Sequence, residues 1–328
     1  MAQLLKVHGS ENQFFILDQT ALDHKLSADE LTHLAQTICK PTSLLGGADG
    51  VLVVDQSDHK AALGRMEVVN ADGSRASMCG NGLRCVSRYI ADHSGKDSFK
   101  VETPAADLLV NRQPNLADNV FAFAVEISPV RYQKEAFPFD HLGMDQVMNQ
   151  PLPALNDHLK FTTIAVPNPH LISFVDNDHD LNDTLGTLGK QLNEPNQYFP
   201  DGVNVNFAKI LGQNQLFVRT YERGVGFTNA CGTGMSATSL AFALNYPDMV
   251  DVNQPIEVTN PGGMVKTIVH PNDEHQWIEL IGNATFTHQI DVDEAKLHAA
   301  SVTADSVQVH DTGEEASYQA FIKSLQLN

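Results

Sequence analysis

Cysteine is scarce in this chain: four among 328 residues, Cys39, Cys79, Cys85 and Cys231. They are too few and too scattered for a disulfide framework, and no second close pair joins Cys79 and Cys85 into a zinc-ligand pattern. The 14 histidines show neither H-x-x-x-H nor HExxH spacing, so no metal is expected as a cofactor. Basic residues are also short, 21 against 40 acidic, for a formal charge of −19. That field repels nucleic acid and anionic membranes, and neither is expected as a partner. No apolar run approaches the ~20 residues of a membrane span. The opening MAQLLKVHGSENQFFILDQ lacks a basic segment followed by an unbroken apolar one, so no signal peptide is expected and a reducing cytoplasm is the natural setting. What is present, 42% hydrophobic and 19% charged residues, describes a soluble globular protein long enough for two domains.

Two of the rare cysteines sit in related phrases. Sliding the chain by 152 residues lays Cys79-Gly80-Asn81-Gly82 on Cys231-Gly232-Thr233-Gly234, and Ala48-Asp49-Gly50-Val51 on Pro200-Asp201-Gly202-Val203. At nearby offsets VETPAADLLV echoes VTNPGGMVKT, and Asn12 before FFILD is echoed by Asn168 before PHLISFV. Several matches in one order indicate a duplication. Short β runs dominate, so the expected fold class is α+β (mixed α/β). Two pseudo-symmetric domains are expected, each a mainly antiparallel or mixed sheet around a central helix, with the active site in the interdomain cleft. The expected boundaries are residues 1–124 plus 280–328 for the Cys79 domain and 125–279 for the Cys231 domain. Within them LGRMEVVNADGS reads as a strand entering an Asp-Gly turn, and Asn12–Asp18, Gly50–Asp55 and QLFVRTYERG as further strands. Leu83, Val86 and Ile90 recur at helical spacing, MSATSLAFALNY reads as a buried helix, and Ser27 with Glu30 forms a capping box ahead of Leu31, Leu34 and Ile38. Residues 130 to 158 look loop-like. The tail after 290 is polar until Thr312 and Glu315, which can cap a helix carrying Tyr318, Phe321, Ile322 and Leu325 and docking on the body or on a second subunit.

Both repeated cysteines fall where a loop enters a helix, followed by glycines that let backbone N–H groups approach a ligand closely. Such a terminus presents unpaired donors and positive potential, which bind a carboxylate and favour a thiolate. Two of them facing one anion suit removal of a proton beside a carboxylate and return of a proton on the other face. One thiolate serves as base and the opposing thiol as acid, without pyridoxal or metal.

NADGSRASMCGNGLRC, PNPHLIS, FPDGVNVNF and ERGVGFTNACGTG, with the opening KVHGSENQF, together resemble the ordered motifs of the diaminopimelate epimerase family. The resemblance spans roughly residues 6 to 285. It implies an isomerase of lysine and peptidoglycan-precursor biosynthesis that interconverts LL- and meso-2,6-diaminopimelate, needs no cofactor, and works in the cytoplasm as a homodimer. It also implies that Cys79 and Cys231 are the acid–base pair, oriented and helped by Glu222 and His170. Gly80, Asn81, Gly232 and Thr233 would donate to the reacting carboxylate. Asn70, Asn168, Asn204, Glu222 and Arg223, with Asn12 nearby, would hold the distal amino-acid end. Three positions depart from the family pattern: Phe227 stands where a glutamate is common, Gln13 replaces an aspartate, and Pro167 a glycine. Phe227 is the departure that most raises the prospect of another substrate.

Plainer readings stand beside these. Cys39 and Cys85 read as inert buried residues. Glu222–Arg223 could be a surface ion pair, His170 a structural histidine, and the asparagines turn residues. Competing functions are a two-cysteine racemase of another amino acid such as histidine or proline, a thiol redox protein, and a non-catalytic carboxylate binder.

Overall fold

The computed structural model describes the whole chain except residues 77, 137, 273 and 326–328, so the last three residues of the expected first domain lie outside it. Backbone contacts divide the described chain into two compact units, Met1–Val125 with residues 281–325, and Glu126–Leu280.

In the first unit, Ala2–Gly9 runs antiparallel to Thr285–Val292 on one side and to Asn12–Asp18 on the other. Asn12–Asp18 lies parallel to Gly50–Asp55, which is antiparallel to Ala62–Asn70. Ala62–Asn70 turns into Arg75–Ala76 and also pairs in parallel with Ser98–Glu102, itself antiparallel to Asp107–Ala117. Helix α1 (Ala28–Ile38) and helix α2 (Gly80–Ser94) cover opposite faces. Phe15, Leu17, Val51 and Val53 pack in the α1 core, whereas Leu52 lies against Gly82 of α2. Alternation of side chains along a strand therefore buries both faces, which is why FFIL and VLVV are unbroken apolar runs. The α1 capping box forms as the sequence predicts: Glu30 N–H donates to Ser27 Oγ at 3.3 Å, and Ser27 N–H to Glu30 Oε2 at 2.7 Å.

The second unit repeats this ladder strand for strand. Asn156–Ala165 is antiparallel to Pro169–Phe174, which lies parallel to Asn204–Gly212. Asn204–Gly212 is antiparallel to Gln215–Glu222, which pairs with the short Gly226–Thr228 and lies parallel to Ile256–Asn260. Helices α3 (Leu185–Asn193) and α4 (Gly232–Asn245) take the places of α1 and α2. Every residue of α4 from Gly232 to Ala243 is buried. Its hydroxyls are satisfied within the helix: Ser236 donates to the Gly232 carbonyl at 2.9 Å, Thr238 to Gly234 at 2.7 Å and Ser239 to Met235 at 2.9 Å. Small side chains without outward polar demands let a sheet wrap a helix on all sides.

Three expectations need correction. The loop-like stretch from 130 to 158 contributes Phe139, Leu142, Val147 and Leu152 to the core around α3, and it contains the strand Gln150–Leu152. Apolar residues spaced irregularly along a loop carry no period by which sequence could find them. The polar tail forms helix α5 (Glu294–His298) and the strand Val307–Asp311, which pairs with Thr285–Val292. Helix α6 (Glu314–Ser324) starts after Gly313 at φ 78°, not in a Thr312–Glu315 capping box. Glu314 N–H does donate to Thr312 Oγ1 at 3.3 Å, but the Glu315 carboxylate turns away to His8 Nε2 at 2.8 Å. Tyr318 and Phe321 are buried and Ile322 and Leu325 half-buried, so the helix docks on its own unit.

Among the described residues no helix is long and apolar enough to cross a membrane.

Candidate active site

In the first unit Cys79 is the N-cap of α2, with extended backbone (φ −144°, ψ 107°) and its sulfur accepting from Gly82 N–H at 3.3 Å. The glycine allows that approach, since a Cβ on Gly82 would meet Leu52 Cδ2 at 2.7 Å. Asn12 enters from the neighbouring strand: its Oδ1 accepts from Asn81 Nδ2 at 3.2 Å and stands 3.7 Å from Cys79 Sγ. Asp49 fixes Asn12, accepting from its Nδ2 at 2.6 Å and from Gln13 N–H at 2.8 Å. The Gln13 side chain itself is exposed, so this departure from the family pattern leaves that hold intact. Asn81 is buried, and its Oδ1 has no hydrogen-bond partner among the described residues.

The second unit builds the same corner with more parts. Cys231 is the buried N-cap of α4, its sulfur 3.6 Å from Thr233 Oγ1. Asn168, at the repeat position of Asn12, donates to Thr233 Oγ1 at 3.1 Å. Val166 N–H bonds the Asn168 carbonyl at 3.0 Å, closing a tight turn over Pro167. His170 Nε2 lies 3.1 Å from Asn168 Oδ1, and its Nδ1 3.0 Å from Asn206 Nδ2. Thr220 Oγ1 donates to Asn206 Oδ1 at 2.8 Å. An amide N–H can only donate, so His170 Nδ1 accepts and Nε2–H donates, which is the neutral imidazole. Burial pushes the His170 pKa down to about 3, and the nearby Arg223 adds to the shift. A chain of hydrogen bonds thus links Asn206 through His170, Asn168 and Thr233 to the Cys231 thiol. Gly234 is enclosed by it: a Cβ there would lie 2.3 Å from Asn206 Oδ1 and 3.2 Å from Cys231 Sγ.

The remaining expected residues sit at the rims. Asn70 ends its strand in the Asp-Gly turn, donating from Nδ2 to Ser74 Oγ at 2.9 Å. Glu222 ends the matching strand in the second unit, half-buried. Asn204 anchors two loops, donating to the Pro169 carbonyl at 3.0 Å and accepting from Arg223 N–H at 2.8 Å, with an amide N–H and a lone pair to spare. It thereby places Arg223, whose exposed side chain reaches the Asp201 carbonyl at 3.2 Å. The structure therefore brings Asn12, Cys79 and Asn81 together in one unit, and Asn168, His170, Cys231 and Thr233 in the other. Asn70, Glu222 and Arg223 stand at strand ends. Cys39 and Cys85 are buried and both thiols are pushed up to about 12 by desolvation, in keeping with inert residues.

Sequence reasoning passed over Asp49 and Asn206. A signal existed for each: Asp49 belongs to the repeated Asp-Gly pair, and N-V-N puts Asn204 and Asn206 on one face of a strand. The structure also relocates Phe227. Its ring lies edge-on to Tyr221 at 5.5 Å, under the Arg219 guanidinium at 4.4 Å, and beside Gly186 of α3. Arg219 and Tyr221 alternate with Thr220, which faces α4 and the thiol. Phe227 is therefore on the sheet face opposite Cys231.

The family model described as "Diaminopimelate epimerase" matches residues 4–121 and 162–287. A diaminopimelate epimerase of Lactiplantibacillus plantarum is 50% identical, over 98% of this chain and 98% of its own length. One of Enterococcus faecalis is 48% identical over 98% and 97%. Among solved structures, a PhzF-family phenazine biosynthesis protein of Bacillus anthracis superposes with a TM-score of 0.60 at 15% identity, over 88% of this chain and 97% of its own. A probable proline racemase of Agrobacterium radiobacter gives 0.57 at 14%, over 91% and 96%. At those identities the likeness is one of fold.

Proposed function

The chain belongs to the diaminopimelate epimerase family, and from that premise we propose that it interconverts LL- and meso-2,6-diaminopimelate with Cys79 and Cys231 as its acid–base pair. It is an isomerase of lysine biosynthesis. The observation that carries the residue assignment is the matched pair of N-caps: each thiol begins a buried helix at Cys-Gly-x-Gly, whose first turn meets an asparagine at the start of the adjoining strand, Asn12 or Asn168.

In the forward step one thiolate takes the α-proton, and the electron pair left on carbon delocalises into the adjacent carboxylate. The opposing thiol then gives its proton to the other face of the carbon, so one S–H is consumed and one is made. Backbone N–H groups of Gly80, Asn81, Gly232 and Thr233, in first helical turns without i−4 partners, receive the charge that grows on the carboxylate. The reaction needs two thiols, and each half of the repeat supplies one. Asn70, Asn168, Asn204, Glu222 and Arg223 hold the distal end, Arg223 gripping its carboxylate in a bidentate pair. A neutral His170 cannot draw the proton by charge, so its part is to fix Asn168 and Thr233 against Cys231. The same reading puts the enzyme in the cytoplasm as a homodimer, the latter open to light scattering.

Proton exchange in deuterated water tests the assignment. Cys79→Ala and Cys231→Ala are each expected to lose racemisation by about a hundred- to ten-thousand-fold while keeping native circular dichroism. Full turnover in either variant rules out two-thiol chemistry. Exchange into histidine or proline, with none into diaminopimelate, overturns the substrate.

A further inference from the structure

Arg84 lies on α2, five residues beyond Cys79, and is fully buried. Its Nε donates to the Asn283 carbonyl at 3.0 Å and its Nη2 to Ser10 Oγ at 3.2 Å, both neutral acceptors. Nη1 has no hydrogen-bond partner, and no carboxylate pairs with the group, among the described residues. Arg88, one turn further on, shows the contrast. It holds Glu314 with both nitrogens at 2.6 and 2.7 Å. Glycine backbone closes around Arg84: a Cβ on Gly282 would lie 3.0 Å from its Cζ. One on Gly9 would lie 2.8 Å from Nη2 and 2.9 Å from the Asn81 carbonyl oxygen. The guanidinium therefore reaches back to the first turn of α2, the turn that Cys79 caps, in the direction helical side chains lean.

A buried cation without a counter-ion is strongly disfavoured unless a negative charge compensates it. The groups that act on Arg84 electrostatically are Cys85, Tyr318 and Cys79. Burial keeps two of these protonated: it pushes the Cys85 thiol up to about 12 and raises the Tyr318 phenol well above its ordinary value. Of the other ionisable groups around this region, His8 is matched to Glu315 at 2.8 Å and Arg88 to Glu314, while the Asp49 carboxylate stands behind Asn12 on the far side of Cys79, bonded to Asn12 Nδ2 at 2.6 Å, and opposes a second negative charge there. Half-buried Glu11 acts on Tyr318 and accepts from Gln319 Nε2 at 3.2 Å. Among the described residues that act on Arg84, half-buried Cys79 is the neighbour that burial does not hold protonated.

We propose that Arg84 is a positioning residue of the reaction, a fixed positive charge behind Cys79 that stabilises its thiolate. It makes Cys79 the thiol that rests in the base form. Cys231, whose counterpart position on α4 is occupied by Ser236, has no such cation on its helix. The proposal rests on Cys79 being one of the two bases, yet its test needs no substrate, so failure here and failure of the two-thiol reading are separate results.

Iodoacetamide alkylation of Cys79, followed peptide by peptide by mass spectrometry between pH 5 and 10, reads the thiolate directly. In the wild-type protein the midpoint is expected below the ~8.5 of an ordinary thiol. Arg84→Gln, which keeps donors and removes the charge, is expected to raise it by about one pH unit, roughly a tenfold slower reaction at pH 7. Arg84→Lys should restore at least half of the shift. A wild-type midpoint at or above 8.5 overturns the proposal even if no variant folds. So does a natively folded Arg84→Gln with an unmoved midpoint, or Gln and Lys variants shifted alike, the mark of packing alone.

Discussion

Gly234 offers the sharpest test of the Cys231 corner, because one added methyl must displace a defined group. A Cβ there would stand 2.3 Å from Asn206 Oδ1, more than 1 Å inside ordinary contact, and 3.2 Å from both Cys231 Sγ and Thr220 Oγ1. Asn206 is fully buried and cannot swing aside without giving up its bonds to Thr220 at 2.8 Å and His170 at 3.0 Å. Each bond is worth about 1 kcal/mol net, and His170 Nδ1 left unsatisfied costs about 1–3 kcal/mol more. Gly234→Ala should therefore destabilise the protein by about 3–5 kcal/mol. Displacing the hydrogen-bond chain that seats Cys231 should lower kcat on the order of a hundredfold, with KM changed less. Urea unfolding gives the first number and racemisation of diaminopimelate the second. The matched glycine is the control. A Cβ on Gly82 meets the end of the flexible Leu52 side chain, Cδ2 at 2.7 Å and Cδ1 at 3.3 Å, and stands at ordinary contact distance, 3.5 Å, from Cys79 Sγ. Gly82→Ala should cost about 1–3 kcal/mol by overpacking and leave most of kcat. Wild-type turnover and stability in Gly234→Ala, or equal effects at both glycines, would refute the reasoning.

Other expectations follow from the same geometry. His170 is held neutral with its pKa near 3, below the ~6.5 of an unfolded chain, so the unfolded state binds the extra proton and stability falls as pH drops through that window. From pH 7 to 5 this one group should cost about 2 kcal/mol, and His170→Asn should lose less stability than wild type by about that amount when urea midpoints are compared. Phe227→Glu, which restores the family's usual residue on the face away from Cys231, should leave kcat/KM for diaminopimelate within about threefold, as surface changes usually do. A switch of preferred substrate across an amino-acid exchange panel would contradict that placement. Glu314 accepts from Arg88 at 2.6 and 2.7 Å and from Phe286 N–H at 2.8 Å, with Arg88 stacked 3.9 and 4.0 Å from the Phe121 and Phe286 rings. Glu314→Gln leaves that buried cation only the longer, more exposed ion pair from Nε to Asp92 at 3.5 Å, and should cost about 3–5 kcal/mol in calorimetry, of which Arg88→Met added in the same chain should recover part. Strictly additive losses would show that the pair is not coupled.

How much of this was legible beforehand depends on the range of the interaction. The duplicated Cys-Gly-x-Gly, the Ser27–Glu30 cap and the unbroken runs FFIL and VLVV are local, and backbone geometry answers local pattern directly. So sequence alone determined the repeat, the strands and helices that flank it, and the two thiols as helix caps. Tertiary structure decided what depends on which residues meet from distant positions. Asn206 reaches His170 across two parallel strands, and Arg84 lies under glycines 9 and 282. The irregular apolar residues of 139–152 join a core whose other half lies on α3. Phe227 was the position where sequence raised most doubt, and it faces α3 because a strand's side chains alternate and Tyr221 was its partner. One residue's shift in that register would have turned it toward the thiol, and only the paired strands carry that information.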